Sequence, residues 1–330
     1  MLHSEPMSHP LRRRCAAALL LCLTPLLAVT ATSGQAPTLA AHRDRAIDIA
    51  IEAAGHPNPF LRANAIEALQ PLPERVRPLV SLGVDDRASV VRFAALVTAG
   101  KLGFQGAAEA ARRRLQDEDA NVRAAAIYAL HALNKPVDPS PLAGMLASGD
   151  PSLRANAVRI VSWMDQPGAI EMIKDATRAP MRRASAEQRM ITRVQVAEAV
   201  VKLGDEASID AVRAAAYSPF DEVKVLAILT LGRLEDRAMA AAIAPMLEEG
   251  PIEKRLAAAQ ALGRMGQANG LKVALSAMDH ERDPVRAQAS FALATMGVPR
   301  AHEALVALLD DPSPQVRLSA AAGVIRRTSR

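Results

Sequence analysis

The chain has 330 residues, with 40 Lys and Arg against 35 Asp and Glu, a net charge of +5 with His neutral. Half of it is hydrophobic, yet only 2% is aromatic and Gly and Pro number 17 and 22, which excludes a disordered chain and a Gly/Pro polymer. So small a charge excess gives no support to a nucleic-acid or membrane surface, and the scarcity of aromatics points to short helices packed from Ala, Leu and Val.

The first element is a leader. Arg12, Arg13 and Arg14 precede an apolar stretch over residues 16–29, followed by the small residues Thr30 to Gly34. This is the layout of a secretory signal peptide. The stretch is short for a membrane span and Pro25 interrupts it. The expectation is therefore a signal peptide over 1–31, a short segment over 32–40 leading into the fold, and a periplasmic or secreted protein with no stable membrane span. An uncleaved anchor is the alternative. Cys15 and Cys22 both fall in the leader, leaving the rest of the chain without a thiol, a disulfide or a thiolate ligand.

A repeat fills the remainder. Aligned segments of the form V-R-x-x-A give one basic residue per unit: Arg62, Arg92, Arg123, Arg154, Arg193, Lys224, Arg255, Arg286 and Arg317. The intervals are 30, 31, 31, 39, 31, 31, 31 and 31 residues. Apolar residues recur at −1, +3, +4, +7 and +10 from each marker, one face of an α-helix. Position +3 is Ala in every unit except that of Val196, small enough for a neighbouring helix to approach closely. Asp119, Asp150 and Asp283 are placed to cap these helices, Pro151, Pro251 and Pro284 suit a first turn, and Gly103, Gly204, Gly266 and Gly297 follow the last apolar position. Partner helices are expected at about 43–54, 74–83, 106–116, 138–147, 167–176, 206–216, 237–248, 269–278 and 300–309. Each unit is then a helical hairpin of about 31 residues, and a stack of nine buries what one hairpin cannot. The fold class is all-α: a single right-handed, curved α-α superhelical solenoid over 41–327, with an eight-residue insertion near 179–190.

The signatures Asp119-x-x-Val122-Arg123-x-x-Ala126, Asp283-Pro284-Val285-Arg286-x-x-Ala289 and Asp311-Pro312-x-x-x-Val316-Arg317-x-x-Ala320 resemble the HEAT-repeat superfamily, specifically the short HEAT-like units first associated with phycobilin lyases. The resemblance covers nearly the whole chain after the leader. It implies an armadillo-like solenoid with the second helix of each pair on the concave side, and a scaffold more than any particular activity. The recurring Arg reads as a fold marker, bridging the turns of its own or the adjacent repeat through several directed hydrogen bonds.

On the second helices, positions +2, +5 and +9 fall outside the apolar face and should meet solvent. Column +9 carries Lys101, Trp163, Lys202, Arg233, Arg264 and Arg326, while Tyr128, Leu226, Leu229 and Phe291 add apolar area. Aromatic anchors beside Lys and Arg suit a protein or peptide interface. The insertion adds Arg178, Arg182, Arg183 and Arg189, and as a loop near Trp163 it would complete a contact centre. The expected partner-binding residues are Tyr128, Arg159, Trp163, Arg182, Arg183, Lys202, Leu229, Arg233, Arg264 and Phe291.

Chemistry-bearing motifs are missing by comparison. His42, His56, His131, His280 and His302 make no metal-ligand spacing, and no phosphate loop, nucleophile elbow or dinucleotide fingerprint occurs. Paired acids such as Asp85-Asp86 and Asp310-Asp311 sit at repeat boundaries. The reading is a monomeric, non-enzymatic scaffold or adaptor without a cofactor, binding protein or peptide. A chromophore-lyase-like subunit and a nucleic-acid or polyanion binder are the alternatives. Export counts against the first, and the small net charge with Glu67 and Glu198 among the basic columns counts against the second.

Overall fold

A computed structural model describes residues 38–164 and 166–329 of the chain. The expected leader, with Cys15 and Cys22, lies outside the described residues. Hairpins follow one another in chain order: α1 (Arg43–Ala54) with α2 (Pro59–Ala68), α3 (Pro73–Gly83) with α4 (Ser89–Lys101), and α5 (Ala108–Arg114) with α6 (Ala120–Ala132). Next come α7 (Pro141–Leu146) with α8 (Pro151–Met164), α9 (Ala169–Thr177) with α10 (Ala186–Lys202), and α11 (Ile209–Ala215) with α12 (Asp221–Arg233). The last are α13 (Ala240–Ile243) with α14 (Ile252–Arg264), α15 (Leu271–Ser276) with α16 (Asp283–Leu293), and α17 (Pro299–Ala307) with α18 (Pro314–Thr328). Several first helices open or close with a 3₁₀ turn, so they are shorter than the periodicity predicts.

The even-numbered helices form a continuous row, each packed on the next, because their facing positions are small. Ala65, Ala95, Ala126, Ala157, Ala227, Ala258, Ala289 and Ala320 at position +3 are all 0% exposed. At Gly232 a Cβ would lie 2.6 Å from the Ala261 Cα of the neighbouring helix. Large residues at +7, such as Leu130, Leu231 and Leu262, fill the layer between the two rows. Together these make one right-handed solenoid with an uninterrupted core.

A single turn design joins the two helices of most hairpins. The residue six before the marker accepts a hydrogen bond from the backbone N–H two residues on, whether it is Asp86 (2.8 Å), Asp117 (3.0 Å), Ser148 (3.1 Å), Ser218 (3.2 Å), His280 (3.1 Å) or Asp311 (2.8 Å). The marker Arg then donates to carbonyls of that same turn: Arg62 to His56 and Pro57, Arg92 to Asp86 and Arg87, Arg286 to His280 and Glu281, Arg317 to Asp311 and Pro312. Its other nitrogens reach the turn of the next repeat, Arg62 to Asp86 (2.7 Å), Arg92 to Asp117 (2.8 Å) and Arg286 to Asp311 (2.7 Å). In these units the marker is thus a rivet between consecutive turns, as the sequence pattern implied.

Two features depart from the expected solenoid. The stack does not end in two open faces: α18 packs against α1 and α2, so the last repeat meets the first and the row of even-numbered helices closes on itself. Arg45 of α1 pairs with Asp310, and Arg317 comes beside His56, which holds the turn position of the first hairpin. Closure buries the apolar ends that an open stack covers with polar capping repeats.

The second departure lies at the insertion. In the other eight hairpins the marker is the fourth residue of its helix, but Arg193 is the eighth of α10. A capping box explains this: Ser185 Oγ accepts from the Gln188 N–H at 3.1 Å, and Gln188 Oε1 accepts from the Ser185 N–H at 2.9 Å, starting α10 one turn early. Four of the eight added residues therefore extend α10, and the rest form the loop before it. Arg189 takes the rivet position and donates to the Ala184 carbonyl, while Arg193 is exposed.

Candidate binding surface of the inner helices

The inner face is the ring of α2, α4, α6, α8, α10, α12, α14, α16 and α18, and its surface divides in two. Over α4 to α12 the C-terminal ends of the helices bring cations and aromatics together. Trp163 is half-buried and its ring lies 5.5 Å from that of Tyr128. The Lys101 ammonium stands 4.3 Å from the centre of the Trp163 ring, a cation–π contact. Crowding by the surrounding wall, with the charges of Arg159 and Lys202 set against that of Glu67, pushes the Lys101 ammonium below the ordinary lysine range. Glu198 ties the next two helices into this cluster, accepting from Lys202 at 2.7 Å and from Arg233 at 2.8 and 2.6 Å. Burial opposes its charge, but the bidentate Arg233 and then Lys202 outweigh that and hold its carboxyl at about 2.

Across α12, α14 and α16 lies a groove of about 700 Å³. Val225, Leu226, Leu229 and Phe291 form its apolar floor, and Phe291 is 39% exposed. Glu222, Gln260, Gln288 and Gln315 stand around it. Gln288 is already engaged, donating to the Glu253 carbonyl at 3.0 Å.

The expected site residues are therefore distributed as follows. Arg159, Trp163 and Lys202 meet around one small depression beside Glu198, with Arg233 joined through that carboxylate. Tyr128 departs from expectation: it is only 5% exposed and serves as the bed of Trp163, because here the neighbouring inner helices come close enough to make position +5 a packing position. The same convergence buries Val97, Ala94, Ala125 and Ala257. Leu229 and Phe291 belong to the groove, and Arg264 is half-buried on α14. Arg182 and Arg183 do not join Trp163. They are exposed just before α10, whereas Lys202, Trp163's neighbour, ends that helix, about 25 Å away along its axis. Glu198, which bridges two of the cations, was legible only as a charge offsetting the basic columns.

A model of HEAT repeats matches residues 76–158 and 240–326, just over half of the chain. Among solved structures, human deoxyhypusine hydroxylase in complex with glycerol is similar at 20% identity over 76% of this chain and 96% of its own, with a TM-score of 0.37. An engineered protein is similar at 19% identity over 88% and 85%, TM-score 0.34. The karyopherin Kap121p bound to the extreme C-terminus of the protein phosphatase Cdc14p is similar at 14% identity over 84% of this chain and 37% of its own, TM-score 0.35. This chain thus spans just over a third of the karyopherin's length. No curated protein sequence matches. At these identities the likeness is one of fold. The expected periplasmic or secreted location finds no support in these comparisons, and the leader that suggested it lies outside the described residues. Among the described residues no helix is long and apolar enough to cross a membrane.

Proposed function

The chain belongs to the HEAT-repeat family, and on that premise we propose that it is a non-catalytic scaffold whose inner face holds a segment of a partner protein. We assign its units to the short HEAT-like type because of their 31-residue period and their Asp-x-x-Val-Arg-x-x-Ala turns. The observation that carries the reading is the groove over α12, α14 and α16. Over α6 and α8 the inner row is filled by Tyr128 against Trp163, whereas here Val225, Leu226, Leu229 and Phe291 leave a lined space of about 700 Å³. Apolar side chains of an entering segment would fill that floor, and the amides of Gln260 and Gln315 offer both donor and acceptor to its backbone.

Selection of displayed random peptides on the full chain tests this, with Leu229→Asp and Phe291→Ala as paired variants. Enriched peptides should share apolar anchors and lose binding to both variants, whose helical circular dichroism and melting remain those of the parent. Equal retention by parent and variants would place the partner elsewhere.

A further inference from the structure

We propose that the cavity bounded by α9, α10 and α11 is a binding site for a small organic acid, an anionic head group carried on an apolar body. The cavity encloses about 490 Å³, within the range of small-molecule sites. Arg154, Lys174, Arg178, Arg189 and Arg193 line it, and no Asp or Glu does. Two of these charges are met outside the lining, Lys174 by Asp205 at 2.5 Å and Arg178 by Asp175 at 2.6 Å.

The other charges are left over. Arg154 is fully buried, and its guanidinium donates to the carbonyls of Ala147, Ser148, Thr177 and Ala179, with no carboxylate. Of its counterparts, Arg62, Arg92 and Arg286 each reach an Asp of the next turn, and Arg123, Arg255 and Arg317, which bond to carbonyls alone, are only half-buried. Arg193 has been carried out of the rivet row by the extra turn of α10 and has no hydrogen bond or ion pair among the described residues, so its five donors are available to an anion. Burial correspondingly pulls the Arg154 guanidinium below its ordinary value with nothing to offset it. Converging cations without an acid favour an anion in the shared space.

The apolar half of the ligand is read from the remaining wall. Met181, Val196 and Val200 line the same cavity, and Val196 stands where the other units have a fully buried Ala. A polyanion needs an extended basic track; a single half-open cavity with an apolar side suits one acid group on a hydrocarbon body.

Titration calorimetry of the full chain with octanoate, octyl phosphate, 1-octanol and acetate tests the proposal. Octanoate or octyl phosphate should bind saturably at one site, while 1-octanol and acetate bind at least roughly tenfold more weakly. Arg193→Ala should weaken the acid by roughly tenfold or more without lowering the melting temperature of the free protein. Arg183→Ala, in the adjoining loop and outside the lining, should leave binding unchanged. The proposal is overturned if neither acid binds saturably, if 1-octanol binds as well as octanoate, or if Arg193→Ala binds like the parent.

Discussion

Arg92 and Arg154 occupy the same repeat position and are both buried, at 5% and 0% exposure, but their charges are treated differently. Arg92 meets Asp117, whose side chain is 1% exposed, within a turn that repeats the local pattern. Arg154 faces the segment where the pattern breaks, and only backbone carbonyls receive it. Arg62, Arg92 and Arg286 each find an Asp in the next turn, whereas Arg123 and Arg255, only half-buried, bond to carbonyls alone. Arg154 alone is fully buried without one, and beside it, where the insertion displaces the next turn, lies a cavity with surplus positive charge. Regular repeats hold the ring, and the irregular one carries chemistry.

The largest expected effect breaks the regular side of this comparison. Asp117→Ala leaves Arg92 buried beside only the exposed Glu118, and should lower stability by ~3–5 kcal/mol. Native-state hydrogen exchange should show the loss concentrated in α4 and α6, since repeats contact mainly their neighbours. A loss no larger than about 1 kcal/mol, the value of an exposed ion pair, would mean that water reaches the pair.

The same division can be sharpened at two close approaches between inner helices. A Cβ at Gly232 would meet the Ala261 backbone at 2.6 Å, whereas one at Gly100 would meet the Tyr128 ring at 2.6 Å. Backbone cannot yield without moving the repeat, but a ring held partly by the half-buried Trp163 can tilt. Gly232→Ala should therefore cost about 3 kcal/mol and Gly100→Ala less, read from denaturant midpoints of the two variants. The Gly100 variant should also shift Trp163 fluorescence, which the Gly232 variant leaves unchanged.

Glu198 links the cation–aromatic side to the groove side, and its effect is pH-dependent. Its carboxyl is held at about 2 in the fold against a reference of 4.5. Its stabilisation is thus complete above pH 4.5 and is lost as pH falls toward 2. With Lys202 half-exposed, the contribution should be about 2 kcal/mol. Wild type and Glu198→Gln should therefore differ most in melting temperature above pH 5 and converge near pH 2; a difference that stays constant with pH would disprove the linkage.

The hairpins were legible because each repeats the same physical solution, Ala at +3 for close approach and Arg for the turn. Closure was not legible, since it depends on small rotations summed over nine hairpins that no single unit displays. Tyr128 was misplaced because the approach of its neighbouring inner helices is likewise not displayed by a single unit. Three of the four glycine-marked helix ends were readable: Gly103, Gly204 and Gly266 adopt φ of 59°, 106° and 87°. Gly297 does not, while Asn134 and Glu235 take positive φ at ends that hold no glycine. The cavity beside Arg154 escaped the sequence reading because alignment on Val196, Val200 and Leu203 placed Arg193 in the rivet row. Those residues do keep their register with the core, but Ser185-x-x-Gln188 marks the true start of the helix four residues before the other helices would begin.

That cap gives the smallest and most local test of the irregular side. Ser185→Ala removes the hydroxyl that accepts from Gln188 N–H and should cost about 1 kcal/mol. The loss should fall on the extra turn alone, because from Arg193 onward α10 is held by its buried face, including Val194, Ala197 and Val200. Fraying of that turn would release Arg189 from the Ala184 carbonyl and loosen one wall of the cavity. Hydrogen exchange should quicken over residues 186–190 and remain unchanged in α8 and α12. If exchange instead quickens along the whole of α10, the added turn supports the repeat as well as the cavity, and regular and irregular parts of the ring are one cooperative unit.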